Sequence, residues 1–312
     1  AIAGPMRRML RQGLAALLLL AFASTCSATW YATEDDPVEA SEKPREGSIA
    51  EVGSKGNPKT VGVVIITLES RREAVDQFLS ETGMCDTFKC MVFNALTKDS
   101  IRIHDLKNIG LMQMNSTLNE GEVACALSHR RAMSDFLDDQ SITHAVIFED
   151  DVAIESETFS NIIEKREKKD VASLLQEFIA TSDSLGWDAL NLGRCYDQCH
   201  TDTTLVELDA GVRVVKSYRA LCAQSYIVTK KGARTMLDYE KTLGLPEDEW
   251  RWRAASQQGA LNYYSITPRL FTQNRQKDGL HKVAQRMPEC WDLEKERREH
   301  EKELKELEAA DA

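Results

Sequence analysis

The sequence predicts an α/β fold built on a mainly parallel sheet, and three observations carry this prediction. Apolar runs typical of buried strands occupy residues 61–67 (VGVVIIT) and 145–148 (AVIF). Segments with helical periodicity lie between such runs, so strands and helices alternate along the chain. Apolar residues make up 42% and charged residues 29% of the 312 residues, as expected for a globular protein with a sizeable core.

The other predicted elements follow from apolar periodicity and from turn or cap residues. The clearest is a helix at residues 121–137, with Asn119 or Glu120 near its cap. Strands are also predicted at residues 212–215 and 223–228, and we expect these two strands to pair with each other. In chain order, the remaining elements are a helix at 71–79, a strand at 91–95, a helical stretch through 160–181, a strand at 187–192, a helix at 230–237 and a strand at 262–266.

The two ends of the chain differ in composition from its body. Three arginines precede an apolar run at residues 13–28 that closes in small residues, which is the layout of a secretory signal peptide. Residues 1–28 are therefore predicted to be a cleaved signal peptide or a retained type II membrane anchor, and both place the rest of the chain in the secretory pathway. Residues 29–60, which are acidic and rich in Pro, Gly and Ser, are interpreted as a disordered stem. We assign residues 61–280 to the folded domain and residues 281–312 to a charged C-terminal helix or tail.

Charge and cysteine content narrow the range of partners. The net charge of −11 argues against a nucleic-acid partner, and contact with a membrane is expected only if the N-terminal segment is retained as an anchor. Seven cysteines follow the signal segment. Cys85 with Cys90, and Cys195 with Cys199, are close enough in sequence for local disulfides. An alternative for the second pair is a zinc cluster of Cys195, Cys199 and His200.

Three adjacent carboxylates, Glu149, Asp150 and Asp151, end the buried strand at residues 145–148. Because successive strand side chains alternate, Glu149 and Asp151 are expected on one face and Asp150 on the other or in the following loop. Hard cations such as Mn²⁺ and Mg²⁺ bind carboxylates and keep positions open for phosphate oxygens. The run therefore predicts a divalent-cation site for a phosphate-bearing donor, and a solvated acidic turn is the alternative interpretation.

The segment GEVACALSH, residues 121–129, places Glu122, Cys125 and His129 on one face of the predicted helix. Apolar residues continue this stripe, so periodicity favours a core position for Cys125 and His129. A role for His129 at a pocket is the alternative, and Glu122 is expected at the edge of that pocket. Walker loops, GxGxxG turns and GxSxG elbows are missing from the sequence, which removes the usual signatures of NTPases, dinucleotide enzymes and many hydrolases.

GEVACALSH followed by the apolar run and EDD resembles glycosyltransferase family 25, which includes lipooligosaccharide and procollagen galactosyltransferases. Further blocks resemble the family in the same order: VIITLESRREAV, WDALNLG, QSYIVTKKGARTML, LPEDEW and TPRLFTQ. Together they extend from residue 61 to about residue 273. The resemblance implies a GT-A fold, a Rossmann-like sandwich that binds a nucleotide sugar at the carboxyl ends of its strands. It also implies transfer of a hexose, galactose above all, from a UDP-sugar to a glycan, protein or lipid acceptor.

The resemblance also implies roles for particular residues. The metal, Mn²⁺ or Mg²⁺, is expected on Asp151 with Glu149. Family members invert the anomeric centre, so a carboxylate must deprotonate the acceptor hydroxyl. Asp248 matches the family's Pro-x-Asp element, and Glu247 and Glu249 are rivals for this role; an acidic helix start is the alternative for all three. Residues with further expected roles are Glu122 and His129 in catalysis, and Thr67, Leu68, Arg71, Glu149 and Asp150 in donor binding.

Two other functions fit parts of the sequence. A non-catalytic lectin or scaffold of the same shape would lack turnover, but it has no need for three costly adjacent carboxylates. A metal-dependent phosphohydrolase would normally need further His or Asp ligands in a recognisable motif. Release of a nucleoside diphosphate from a nucleotide sugar in the presence of Mn²⁺ distinguishes the transferase from both.

Overall fold

The computed structural model describes residues 61–165, 170–208, 211–239, 241–252, 258–274 and 288–290. The predicted signal or anchor segment, the predicted stem and most of the predicted C-terminal tail lie outside these residues. Among the helices within the described ranges, none is both long and apolar enough to cross a membrane.

Ten strands and eight α-helices make up the described part of the chain. The strands are β1 (Val61–Thr67), β2 (Lys89–Asn94), β3 (His144–Glu149), β4 (Val152–Ile154), β5 (Ala189–Asn191), β6 (Thr203–Glu207), β7 (Arg213–Lys216), β8 (Ser225–Thr229), β9 (Tyr263–Thr267) and β10 (Phe271–Gln273). The helices are α1 (Arg72–Thr82), α2 (Met84–Thr87), α3 (Ile103–Asn108), α4 (Glu120–Asp138), α5 (Ser156–Lys165), α6 (Val171–Ser182), α7 (Lys230–Tyr239) and α8 (Glu247–Trp252). The predicted single helical stretch at 160–181 is therefore two helices.

Eight of the strands form one sheet in the order β2-β1-β3-β8-β5-β9-β7-β6, and β10 pairs with β4 in a small second sheet. Three neighbouring pairs of the large sheet are parallel and four are antiparallel. The prediction of a mainly parallel sheet is therefore wrong, and the sheet is mixed. A parallel neighbour needs a crossover of a dozen or more residues, and the apolar runs of the sequence carry no signal for strand direction.

The predicted pairing of the strands at 212–215 and 223–228 is also wrong. The observed strands, β7 and β8, are separated in the sheet by β5 and β9. β8 instead lies between β3 and β5 and runs antiparallel to both. Two short apolar runs that are close in sequence suggested a hairpin. In the structure, the connection between them instead passes the positions of two other strands in the sheet.

Both faces of the sheet are buried, which gives the domain three layers. Val63 and Ile65 of β1 pack against Phe78 of α1 and Phe178 of α6 on one face. Val64 and Ile66 of the same strand pack on the other face against Phe136 of α4, beside α7 and α8. This alternation explains why β1 is a continuous apolar run rather than an alternating one.

Helix α4 begins and ends where capping chemistry predicts. The side chain of Asn119 accepts hydrogen bonds from the backbone N–H groups of Gly121 (2.9 Å) and Glu122 (3.0 Å), and Glu122 accepts one from the N–H of Asn119 (2.8 Å). This capping box confirms Asn119 rather than Glu120 as the cap. At the other end, the ammonium of Lys230 donates to the carbonyls of Phe136 and Asp139, so α7 satisfies the last turn of α4.

The disulfides confirm one predicted pair and correct the other. Cys85 pairs with Cys90 as predicted, but Cys195 pairs with Cys222 and Cys199 with Cys290. The predicted Cys195–Cys199 bond is therefore wrong, and so is the alternative zinc cluster, because both sulfurs are used in disulfides. The partners are brought together by tertiary structure, since Cys195 bridges Leu221 in an antiparallel contact.

Residues 288–290, which the sequence placed in the tail, are joined to the folded domain. Glu289 accepts hydrogen bonds from Nε of Arg194 (3.1 Å) and from the hydroxyl of Thr267 (2.9 Å). Together with the disulfide of Cys290, these contacts fix the segment to the loop that follows β5 and to the end of β9.

Candidate functional site

The ends of β1 and β3 meet through Asp150. The two strands are parallel neighbours, with Ile66 of β1 in register with Glu149 of β3, so their carboxyl ends lie at the same edge of the sheet. Oδ2 of Asp150 accepts the backbone N–H of Leu68 at 2.9 Å, and Oδ1 accepts Nη1 of Arg71 at 2.7 Å. The structure therefore brings together residues that the sequence assigned to donor binding.

Thr67 completes this strand end without facing solvent. Its side chain is fully buried, and its hydroxyl donates to the carbonyl of Leu68 at 2.9 Å. Its own carbonyl accepts the N–H of Ala95 at 2.8 Å, which continues the pairing of β1 with β2 by one residue. Thr67 thus holds the turn from which Leu68 and Arg71 reach Asp150.

The first two carboxylates of the EDD run contact different elements. Glu149 is the last residue of β3, and its Oε1 lies 3.0 Å from Nε2 of His129 and 3.8 Å from Sγ of Cys125, both on α4. Asp150 turns instead to the end of β1, opposite to Glu149 as expected. A turn at Asp150 and Asp151 separates β3 from β4, so the strand alternation that placed Glu149 and Asp151 on one face stops at Glu149.

Asp151 lies at the start of the second, two-stranded sheet. It is buried, with 9% of its surface exposed, and its backbone carbonyl accepts the N–H of Asn274 at 2.6 Å. Asn274 follows β10, which pairs with β4 immediately after Asp151. The late segment that the sequence recognised by TPRLFTQ therefore positions the backbone of the EDD turn.

His129 is fully buried and both of its ring nitrogens make polar contacts. Nδ1 lies 3.0 Å from the hydroxyl of Tyr226 on β8, and Nε2 contacts Glu149. The imidazole also stacks on the Tyr226 ring with 5.8 Å between centroids. His129 is therefore a core residue, as periodicity predicted, and it contacts a carboxylate of the strand end; its role at a pocket stays a prediction.

Burial shifts the pKa values of this cluster towards neutral forms. It lowers the pKa of His129 to about 4, and it raises the pKa of Glu149 to about 7 with further upward contributions from Asp150 and Asp248. Burial, then the charge of Glu149, also raises the pKa of the Cys125 thiol. Burial is therefore the main cause of all three shifts.

The donor set at this edge fits a hard divalent cation. The charge of Asp150 is offset by Arg71, whereas the pKa of Glu149 is raised because burial and neighbouring acids disfavour its anion. Carboxylate oxygens are the ligands that Mn²⁺ and Mg²⁺ prefer. Glu149 and Asp151 are the residues that would hold it.

The three acidic residues at the start of α8 have different surroundings. Glu247 is buried, with one oxygen accepting from Trp250 Nε1 at 3.0 Å and the other paired with Arg251. Glu249 lies 3.6 Å from Nη2 of Arg219. Asp248 is half-buried and its Oδ2 accepts the backbone N–H of Cys222 at 3.3 Å.

Two residues that contact this cluster, Arg251 and Tyr226, were not singled out from the sequence. The guanidinium of Arg251 is buried, lies 4.0 Å above the ring of Tyr226 and pairs with Glu247. Its positive charge lowers the pKa of Glu149, against the larger effect of burial. The spacing of Glu247 and Arg251, one helical turn apart in an acidic helix start, is the signal that could have identified the pair.

Glu122 is the predicted catalytic residue with the least direct connection to this cluster. Its carboxylate takes part in the capping box of α4. Seven residues separate it from His129, which corresponds to about 10 Å along the helix axis. Its catalytic role stays a prediction, and capping gives it a structural one.

The chain has an open α/β sheet in which one of two parallel neighbours, β3, ends in carboxylates, and in open α/β sheets the strand ends are where ligands usually bind. Comparison with protein-family models then matches residues 62–250 to glycosyltransferase family 25, described as an LPS biosynthesis protein. This match spans more than half of the chain and includes the EDD run and the start of α8. The chain therefore belongs to glycosyltransferase family 25, as the sequence predicted.

Other comparisons add little to this assignment. No curated protein sequence matches the chain. Among solved structures, A197 from STIV has 8% sequence identity and a TM-score of 0.32, covering 68% of this chain and 84% of that chain. A putative glucose-1-phosphate thymidylyltransferase from Bacillus anthracis, solved in complex with sucrose, has 10% identity and a TM-score of 0.34, covering 68% and 89%. Neither superposition is close enough to argue fold or function from.

Proposed function

We propose that the protein is an inverting, metal-dependent hexosyltransferase of the GT-A type. The donor is a UDP-sugar, with galactose as the transferred hexose, and the acceptor is a hydroxyl of a glycan, protein or lipid. Membership of family 25 supports a sugar donor and a glycan acceptor. The observation that carries the finer proposal is the junction at Asp150, which joins the end of β1 to the EDD turn.

On the donor side, the chain supplies the guanidinium of Arg71, the backbone turn after β1 and the carboxylates that end β3. Arg71 is partly exposed, with 26% of its side chain accessible, so the guanidinium that orients Asp150 is also open to a phosphate. A bound Mn²⁺ or Mg²⁺ would supply Lewis-acid stabilisation of the charge on the departing diphosphate. Glu149 and Asp151 would hold the ion, and His129 would keep the carboxylate of Glu149 in place.

On the acceptor side, Asp248 is the best placed of the three acidic residues to remove a proton. Glu247 is buried, and both of its oxygens already accept hydrogen bonds from Trp250 and Arg251, so a substrate hydroxyl has poor access to it. Asp248 uses Oδ2 for the N–H of Cys222, and Oδ1 makes no hydrogen bond among the described residues. Asp248 also raises the pKa of Glu149, so the two carboxylates lie within electrostatic reach of each other.

The disulfides support an oxidising environment for this reaction. Six cysteines of the described domain are paired, which is typical of proteins in the secretory pathway or outside the cell. We therefore propose a luminal or extracellular location for the domain, with the acceptor in the same compartment.

The experiment is a screen of nucleotide sugars for Mn²⁺-dependent release of the nucleoside diphosphate. The wild-type protein is expected to release UDP, whereas Asp151→Asn removes a charged ligand at nearly constant volume and should lower the rate by on the order of 10²–10³-fold. Asp86→Asn, which changes an exposed carboxylate on α2, is the matched control and should turn over normally.

Two results would contradict the proposal. If the folded protein binds a glycan but releases no nucleoside diphosphate from any donor with any divalent ion, it is a lectin or scaffold. If Asp151→Asn turns over at the wild-type rate with saturating Mn²⁺, the metal is held elsewhere.

A further inference from the structure

Three metal-binding atoms of different chemistry converge where α4 meets the end of β3. Sγ of Cys125, Nε2 of His129 and Oε1 of Glu149 all lie within 4.8 Å of one another. The distance from Oε1 to Nε2 is 3.0 Å and the distance from Oε1 to Sγ is 3.8 Å. In a tetrahedral zinc site, with bonds of about 2.0–2.3 Å, the ligand atoms lie roughly 3.3–3.7 Å apart. The cluster therefore needs side-chain adjustments of about 1 Å or less to surround one ion.

The backbone already supports this geometry. Cys125 and His129 are four residues apart on α4, so their side chains lie one above the other on the same helix face. Glu149 is fixed at the end of β3 by its backbone N–H, which donates to the carbonyl of Gln224 at 3.0 Å. Neither α4 nor β3 has to move for the three ligands to meet.

A partner for the far side of the imidazole is also present. Metal-bound histidines usually donate their second ring N–H to an oxygen, which fixes the tautomer and the ring orientation. Nδ1 of His129 lies 3.0 Å from the hydroxyl oxygen of Tyr226, and this contact turns Nε2 towards Glu149. Cys125 and the side chain of Glu149, which is 21% exposed, are half-buried, so an ion can enter from the solvent side.

We propose that Cys125, His129 and Glu149 form a second metal site, selective for Zn²⁺ and similar soft divalent ions, with a fourth position open to water. Thiolate and imidazole favour such ions over Mn²⁺ and Mg²⁺, which prefer oxygen ligands. The site is distinct from the proposed Mn²⁺ or Mg²⁺ site although Glu149 belongs to both. Zinc bound here withdraws that carboxylate from the donor-binding edge. The proposal does not depend on the transferase function, because it concerns binding alone.

The test uses Co²⁺ as a spectroscopic substitute for Zn²⁺ on the full-length oxidised protein. Co²⁺ bound by a thiolate gives a sulfur-to-metal charge-transfer band, and among the described cysteines Cys125 is the free one. The wild-type protein should show this band, and one equivalent of Zn²⁺ should remove it. Cys125→Ser, a nearly isosteric change at a half-buried position, should abolish the band while the circular dichroism spectrum stays that of the wild type.

A second variant tests the role of His129 in the proposed site. Tyr226→Phe removes the oxygen that orients His129 and should weaken Zn²⁺ binding by roughly 10–100-fold in competition with a chelating dye. His104→Ala, at an exposed histidine of α3, is the control and should bind Zn²⁺ as the wild type does. No charge-transfer band in the folded wild-type protein, or a band that persists in Cys125→Ser, would overturn the proposal. Equal Zn²⁺ affinity in Tyr226→Phe and wild type would contradict the role of Tyr226 in orienting a metal-bound His129.

Discussion

Nε2 of His129 lies 3.0 Å from Oε1 of Glu149, so α4 and β3 meet through two titratable groups. Burial disfavours the charged form of both residues, with pKa values of about 4 for His129 and about 7 for Glu149. The pair therefore holds one proton in the folded protein around pH 5–6, and that proton is on the carboxyl group. In the unfolded chain the ordinary values, 6.5 and 4.5, place the proton on the imidazole instead.

This exchange predicts that the pair does not affect the pH dependence of stability in the wild type. In each single variant, the remaining residue should change that dependence. In the metal-free wild type, both states bind about one proton per pair around pH 5–6, so the pair adds almost no pH dependence to the free energy of unfolding there. In Glu149→Gln, His129 binds more protons when unfolded, so stability should rise with pH between about 4 and 6.5. In His129→Gln, Glu149 binds more protons when folded, so stability should fall between pH 4.5 and about 7.

Denaturant unfolding at several pH values measures these slopes, each at most about 1.4 kcal/mol per pH unit relative to the wild type. Slopes of opposite sign in the two variants are the expected result. If both variants follow the wild-type profile, the folded pair ionises as it does in the unfolded chain.

A second prediction concerns the base. Asp248→Asn should slow sugar transfer by roughly 10²–10⁴-fold, because a positioned general base contributes about that factor. UDP affinity in the presence of Mn²⁺ should stay near that of the wild type, since the proposed donor contacts are on β1 and β3. Titration calorimetry and initial rates measure the two quantities separately.

Glu249→Gln is the matched comparison for this variant, one residue further along the same helix. Normal transfer in Glu249→Gln with loss in Asp248→Asn identifies the base as Asp248. The reverse pattern moves the role to Glu249 and shifts the alignment of the Pro-x-Asp element by one residue. Normal transfer in both removes Asp248 and Glu249 from the reaction and leaves Glu247 as the one candidate base of α8.

A third prediction separates two adjacent arginines. Arg71 pairs with Asp150 at the strand ends, whereas Arg72 pairs with Asp76 on the exposed face of α1. Loss of a charged hydrogen bond costs about 1.5–3 kcal/mol, so Arg71→Ala should weaken UDP binding by on the order of 10–10²-fold. Arg72→Ala should bind UDP within about twofold of the wild type, because surface pairs contribute little. Equal affinities in the two variants would show that Arg71 does not serve the donor site.

The sequence predicted those parts of the site that depend on local order. β1 was predicted with its observed bounds because a β-branched run needs no partner to be recognised, and α4 because capping residues and periodicity agree. Leu68, Arg71 and Asp150 were each assigned to donor binding, and the structure brings them together because β1 and β3 are parallel neighbours. Their role in donor binding stays a prediction.

Features that depend on contacts between distant segments were not predictable in this way. The antiparallel position of β8 brings Tyr226 to His129, and no local pattern encodes that direction. Arg251 acts through its packing on Tyr226, which lies 25 residues earlier in the numbering and on another element. The partners of Cys195 and Cys199 were wrong for the same reason, since closeness in sequence does not decide which sulfurs meet.

A fourth prediction concerns the buried charge that holds residues 288–290. The guanidinium of Arg194 is 1% exposed and contacts Asp197 (3.0 Å), Asp202 (2.8 Å) and Glu289 (3.1 Å). Removing one partner from a buried ion network leaves uncompensated charges, so Arg194→Ala should lower the free energy of unfolding by about 3–5 kcal/mol.

Arg213→Ala, at an exposed position of β7, is the control and should change stability by about 0.5 kcal/mol or less. Urea unfolding followed by tryptophan fluorescence compares the two variants. A change below about 1 kcal/mol in Arg194→Ala would mean that water replaces the guanidinium at this position.

The crossed pairing of Cys195 with Cys222 and of Cys199 with Cys290 has a consequence for biosynthesis. As the chain leaves the ribosome, Cys195 and Cys199 emerge almost together, and the final partner of Cys199 follows 91 residues later. The nearest thiol in sequence to each is therefore that of the other, and any bond formed between them has to be exchanged before the last segment can attach. Recombinant yield should accordingly depend on a disulfide isomerase, and an oxidant alone should trap the chain with its C-terminal cysteine unpaired.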